Sequence, residues 1–417
     1  MSVVLRRAFL VFAAFLSLFP PAVGAYLRWG GWPPGFGVFP PQVPIDPQGN
    51  PMEPPGFSPL YFALGCTVAC IILAFLLFPQ WFGFERTKSD AKTQQPVAPP
   101  WWFYLGLVVN GVCWWMMWFS SSPIVKYLFT PLWWGFIAVV DGVVFVRTGG
   151  ASIFSRLPRQ LLALVVVSIV GWFLFEWLNW FVLCNWVYPN SPAIFSERQA
   201  LFWFSLTYTC VWPAIFEWYT LLRTFPRLSV RWANGPAIRL GSRALVLALM
   251  VGTAVGVLVG ILPYLLFFCV WLGSLLMLPA AMGLLGFWTP LTPIARGNWE
   301  PLTLIGLAGL ANGFFWEFWN YGSNAFVPGR NPNWWDYKIP FVDVIHVFSE
   351  MPLLGYFGYL PFGAQCWVWW LVFAHLFKFN PDFDPEYAGL PGARKKTVSA
   401  SQPSKRPSAP LGTVPGE

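Results

Sequence analysis

Seven side chains have the types and spacing to move protons in an apolar setting: Glu176, Asn179, Glu217, Glu317, Asn320, His346 and Glu350. All lie in or beside stretches apolar enough for a bilayer, where an ionisable group is costly unless something compensates it, so such groups mark sites by default. A spacing of three puts Glu176 with Asn179, and Glu317 with Asn320, on one face of a helix. Asp343, His346 and Glu350 fall at i, i+3 and i+7, one stripe of a helix starting near the outer surface. A carboxyl beside an imidazole, shielded from water, is an arrangement that general acid–base chemistry uses. The same acids also fit a structural role, bonding to Asn, Trp N–H or Tyr hydroxyl groups to hold helices together, and Asp343 fits a helix cap.

These groups need helices to carry them. The 417-residue chain is 57% hydrophobic and 10% charged, with mean hydropathy +0.56, more apolar surface than a water-soluble core can hide. The expected fold class is therefore all-α: a polytopic membrane protein with about ten transmembrane helices. The net charge of +8 sits mainly in short loops and the tail, which orients spans and argues against a nucleic-acid surface. Seven scattered cysteines form no CxxC pair and read as buried small hydrophobes. With two histidines and no HxxxH, HExxH or Glu-x-x-His motif, no metal centre is expected. The chain also has no Walker loop, dinucleotide fingerprint or haem CxxCH, so no cofactor is expected.

The run from Val3 to Tyr26, which has a signal-peptide-like ending at Ala25, is long enough to span and is read as a retained first helix. Residues 27–57, rich in Pro and Gly, read as an extended external loop. Further spans fit Ser58 to Phe82, Trp101 to Phe119, Pro131 to Val146, Leu161 to Cys184 and Ala200 to Leu222. Ala244 to Phe287 is too long for one crossing and turns near Gly260 and Pro263. Spans from Leu302 to Tyr321 and from Phe341 onward complete the set, with Phe362 to Phe379 either extending the last helix, lying at the interface or crossing again. Residues 1–380 thus form the membrane domain, and 381–417 a basic, disordered cytoplasmic tail.

Units 161–222 and 302–362 follow one plan. Each has Glu-x-x-Asn at the outer end of a span, then an outside loop with Asn, Trp and Tyr (Asn185, Trp186, Tyr188; Asn333, Trp334, Tyr337), then a single Glu in the returning span (Glu217; Glu350). Both copies start and end on the same sides, which predicts a parallel internal repeat with a shared site at its interface. The abundance of rings, 28 Trp and 41 Phe, suits either lipid-facing bulk or a pocket whose walls stabilise a carbocation.

This plan resembles the integral-membrane carotenoid cyclases, the heterodimeric-type lycopene cyclases and their relatives, whose two similar halves each carry an Asn-containing helix, a Trp-x-Tyr loop and a Pro-x-Glu-Glu-type acidic motif. Trp186-Val187-Tyr188 and Trp335-Asp336-Tyr337 match the loop, while Pro213 to Glu217 and Ser349-Glu350 stand near the acidic motif. Neither half has the double acid, and Pro213 is four residues from Glu217 rather than two. FEWLN and EMPLLGYFGYLPF are also similar to signatures of bacterial multi-span proteins without an assigned activity.

The resemblance implies an enzyme of a bacterial cytoplasmic membrane acting on an isoprenoid, carotenoid or other apolar lipid by proton-initiated rearrangement or cyclisation. Glu350 with His346 would donate or relay the proton, Glu217, Glu317 or Glu176 would serve as the second acid or base, and Asn179 and Asn320 would orient them. The alternative is a non-enzymatic protein: a proton-coupled transporter or channel, for which Asp141 in the fourth span is a further candidate, or a structural subunit of a membrane complex.

Overall fold

A computed structural model describes residues 1–86, 95 and 97–381, so the tail beyond 381 lies outside the described residues. The described chain is mostly helical, with almost no sheet. Helices α1 (Val3–Leu16) and α2 (Pro20–Trp29) form one rod interrupted at Pro20 and Pro21, where the backbone lacks N–H donors. Helix α3 (Pro59–Leu77) is followed by α4 (Trp101–Phe119) and α5 (Phe129–Arg147). The one-turn α6 (Ile153–Arg156) leads into α7 (Pro158–Phe181). Next come α8 (Ser191–Ile194), α9 (Glu197–Tyr208), α10 (Val211–Arg223) and α11 (Pro226–Ser229). Then α12 (Ser242–Ile261), α13 (Val270–Leu284), α14 (Leu291–Ile294), α15 (Glu300–Ala325) and α16 (Tyr359–Phe377) complete the set.

Among the described residues, eight helical stretches are long and apolar enough to cross a membrane: Val3–Trp29, α3, α4, α5, α7, α12, Phe267–Leu284 and Leu353–Phe377. The chain is a membrane-embedded, multi-pass α-helical protein. Helix α15 and the α9–α10 pair fall outside that set for a physical reason. Both carry the interior polar groups, and α9–α10 is broken at Thr209 and Cys210. They pack at the centre: α10 touches α5, α7 and α15, and α15 touches α4 and α16. Helices α15 and α16 approach with their backbones nearly in contact, since a Cβ on Gly309 would stand 2.3 Å from the Tyr359 carbonyl and one on Gly363 2.3 Å from that of Ile305.

Helix α3 is the outlier. Only 6% of its apolar window is buried. Its N-terminal end is pinned by Tyr61, which donates to the Leu265 carbonyl at 3.1 Å and stacks on Phe341 at 4.4 Å. Its C-terminal end is pinned by Arg231, whose Nη2 donates to the carbonyls of Leu76 (3.1 Å) and Leu77 (2.8 Å).

The expected helix from Phe341 is not formed. Residues 341–352 are a loop in which Phe341 and Ile345 take φ of +64° and +59°, and His346 pairs with Pro352 as an isolated bridge. Pro340 and Pro352 bracket the segment, and Val342, Val344, Ile345 and Val347 between them are β-branched, a composition that resists a helix whatever its polar spacing. The last span instead runs Leu353–Phe377, which assigns Phe362 to Phe379 to that helix and its end. Gly260 and Pro263 do mark the turn between α12 and α13.

Candidate functional site

Near the end of α7, Glu176 is buried and Asn179 fully so. The Glu176 carboxylate accepts four side-chain hydrogen bonds. Its Oε1 receives Tyr188 OH at 2.7 Å, Trp172 Nε1 at 3.0 Å and Tyr208 OH at 3.1 Å, and its Oε2 receives Trp186 Nε1 at 3.0 Å. One turn on, Asn179 grips the loop: its Nδ2 donates to the Trp186 carbonyl at 2.9 Å and its Oδ1 accepts from the Trp186 backbone N–H at 3.5 Å.

Near the end of α15 the same arrangement recurs. Glu317 Oε1 accepts from Tyr359 OH at 2.5 Å and Tyr337 OH at 2.8 Å, while Trp335 Nε1 donates to Tyr337 OH at 2.9 Å. Asn320 Nδ2 donates to the Trp335 carbonyl at 2.8 Å, and Asn320 Oδ1 accepts the Trp335 backbone N–H at 3.0 Å. Ser349 lies alongside Glu317. The two Trp-x-Tyr loops meet as antiparallel strands β1 (Trp186–Val187) and β2 (Asp336–Tyr337), in the register Trp186 to Tyr337 and Val187 to Asp336. The clusters are therefore joined through two short strands.

Local sequence explains how the tyrosines reach the acids. A Cβ on Gly313 of α15 would stand 2.3 Å from the Tyr359 ring, so only glycine leaves that ring room to pass toward Glu317. On the other side, Ser168 of α7 donates to the Tyr208 carbonyl and accepts from the Trp212 N–H at 3.1 Å, bracing the α9–α10 break that delivers Tyr208.

A cavity of about 530 Å³ lies against both clusters, within the range of about 300–1,000 Å³ usual for small-molecule sites. Tyr188, Tyr208, Tyr337 and Tyr359 all line it, and each bonds a buried glutamate. Trp172, Trp186, Trp271, Trp316, Trp335 and Phe362 supply most of the aromatic wall, and Leu64, Val68 and Ile72 of α3 close one side. No Lys, Arg, His, Asp or Glu is among the described lining residues.

The predicted residues fall into three places. Glu176, Asn179, Glu317 and Asn320 form the paired clusters. Glu217 is fully buried on α10 beside Asp141 of α5, which also accepts from Trp102 Nε1 at 2.8 Å, Ser152 Oγ at 2.9 Å and the Phe154 N–H at 2.8 Å. His346 and Glu350 sit on the 341–352 loop and do not line the cavity. The His346 side chain is 40% exposed and its Nε2 meets Asp343 Oδ1 at 3.1 Å. Burial first, then the charge of Asp336, push the Glu350 carboxyl above the usual range, while burial raises that of Asp343 against the opposing pull of His346.

Glu217 on α10 and Glu350 on its loop stand in different settings. The group that reaches each buried glutamate from the segment after its loop is a tyrosine, Tyr208 or Tyr359. Their nearly equal distances from Tyr188 and Tyr337 are the sequence signal that finds them. No protein family matches the chain, and no curated protein or solved structure is measurably similar to it, which leaves the clusters and the cavity to speak for function.

Proposed function

We propose that the protein is a cytoplasmic-membrane enzyme that takes an isoprenoid, carotenoid-like or other apolar lipid into the aromatic cavity and rearranges or cyclises it by proton addition. The observation that carries this reading is that four tyrosine hydroxyls stand between two buried carboxyls and one apolar cavity. A carboxyl can pass a proton through a tyrosine hydroxyl to a double bond and take one back from the product, while surrounding rings stabilise the cation between the steps. Glu317 with Tyr359 and Tyr337 forms one acid–base unit, and Glu176 with Tyr188 and Tyr208 the other. His346 and Glu350 serve as an outer supply, because their loop passes Ser349 beside Glu317.

In this reading α15 and the α9–α10 pair cross the membrane too, giving ten crossings. Units 161–222 and 302–362 are copies related by an axis along the membrane normal. The matched hydrogen bonds of Asn179 and Asn320 support that relation.

Lipid extraction of the purified protein with mass analysis, followed by expression in a polyene-accumulating host, tests the proposal. A bound isoprenoid and a new product that disappears in Glu317→Gln are expected, and unchanged product in that variant would overturn it. The Asp141–Glu217 pair, buried outside the cavity wall, favours a second reading as a proton-coupled transporter. There, Glu217→Gln would abolish proton uptake by reconstituted vesicles while Glu317→Gln would not.

A further inference from the structure

Asn333 lines the cavity and is 4% exposed, yet its amide nitrogen finds no acceptor. A buried amide without an acceptor costs stability unless a bound group completes it. The backbone that carries it is fixed. Its backbone N–H donates to Asn331 Oδ1 at 3.0 Å, and Asn331 Nδ2 in turn donates to Ser323 Oγ at 3.0 Å on the last turn of α15. Among the other polar groups of the wall, the four tyrosine hydroxyls are committed to Glu176 and Glu317, and the Asn185 amide to the carbonyls of Val182 and Lys338. A phosphate or carboxylate head would find no cationic side chain on the described wall and would stay buried and unpaired.

We propose that the cavity takes a neutral ligand, an apolar molecule with a hydrogen-bond-accepting oxygen (hydroxyl, ether or carbonyl) at the end lying against the Trp-x-Tyr loops, where Asn333 Nδ2 donates to it. This rests on the cavity being the ligand site. It narrows the substrate class to oxygenated neutral lipids and excludes prenyl diphosphates, free fatty acids and phospholipids.

The full chain in nanodiscs is titrated with retinol, its deoxy hydrocarbon and retinyl phosphate, with energy transfer from tryptophan to the polyene as the signal and empty nanodiscs as the blank. Saturable retinol binding about tenfold tighter than that of the hydrocarbon is expected, with retinyl phosphate weakest. Asn333→Leu and Asn333→Ala, which both remove the donor, should bring retinol down to the hydrocarbon's affinity, and Asn333→Leu, which keeps the volume, should leave the hydrocarbon unchanged. Retinyl phosphate binding as tightly as retinol, or an Asn333→Leu variant that keeps the preference for retinol, would overturn the assignment. So would the absence of saturable retinol binding, which would also remove the cavity as a site. Saturable, Asn333-dependent binding with no conversion of any isoprenoid would retire the enzymatic reading and leave this one standing.

Discussion

The Glu176 and Glu317 clusters are built from the same parts and differ in how fully the acid is held. Glu176 receives two tyrosine and two tryptophan donors, one of them from Trp172 a turn earlier on its own helix. At Glu317 two tyrosines donate to Oε1, the Trp335 N–H reaches Tyr337 at 2.9 Å, and Ser349 stands alongside the carboxyl. A carboxylate wrapped by four donors is fixed in place, whereas one reached through two hydroxyls can exchange its proton along them. Two clusters of the same residue types thus hold their acids differently, and the proposed function assigns the chemistry to Glu317 and the holding of helices to Glu176.

That contrast is open to direct attack. Glu317→Gln should lower turnover by about 10²–10⁴-fold, the usual worth of a general acid. Glu176→Gln should lower it by less and show its main effect as a reduced unfolding temperature in detergent; equal losses of turnover would erase the distinction. Next in size is Gly313→Val, whose added atoms must displace the Tyr359 ring. It should destabilise by about 1–3 kcal/mol, and turnover should fall with it, because the ring leaves Glu317.

Single hydroxyl deletions sharpen the same point. Tyr359→Phe should cost activity by about tenfold, while Tyr208→Phe should cost about 1 kcal/mol of stability and little activity, because Glu176 retains three other donors. The smallest effect belongs to the outer loop. Because the Glu350 carboxyl is raised in the folded protein, the folded state holds the proton longer than the unfolded chain does. Its contribution is therefore complete below the ordinary glutamate range and is lost as pH rises through the raised value. Glu350→Gln should flatten that part of the melting-temperature profile, and a profile unchanged by the substitution would detach Glu350 from the effect.

What could be read from the sequence was what depends on near neighbours. Glu-x-x-Asn and Trp-x-Tyr are short, occur twice in the same order, and bond to one another within 7 to 20 residues of chain. The apolar runs likewise announced membrane helices, though the two most interior segments stand outside the set apolar and long enough to cross, because interior helices carry the polar groups. The stripe of Asp343, His346 and Glu350 misled because helical spacing is satisfied by chance in a polar-poor loop, and the prolines and β-branched residues around it were the better guide. The Asp141–Glu217 contact depends on which helices meet, and pairing of that kind leaves no local trace, while Tyr208 and Tyr359 show in the sequence only through their similar distances from Tyr188 and Tyr337.

The pinning of α3 at both ends has a kinetic consequence. Its middle turns line the cavity with Leu64, Gly65, Val68 and Ala69, of which Leu64 and Val68 are also half-exposed to the surroundings. A helix tied like a bowstring can bow outward without releasing either tie. A molecule in the cavity would then exchange sideways with the bilayer, so that occupancy would follow its concentration among the lipid chains rather than in water, and exchange would slow as the bilayer stiffens.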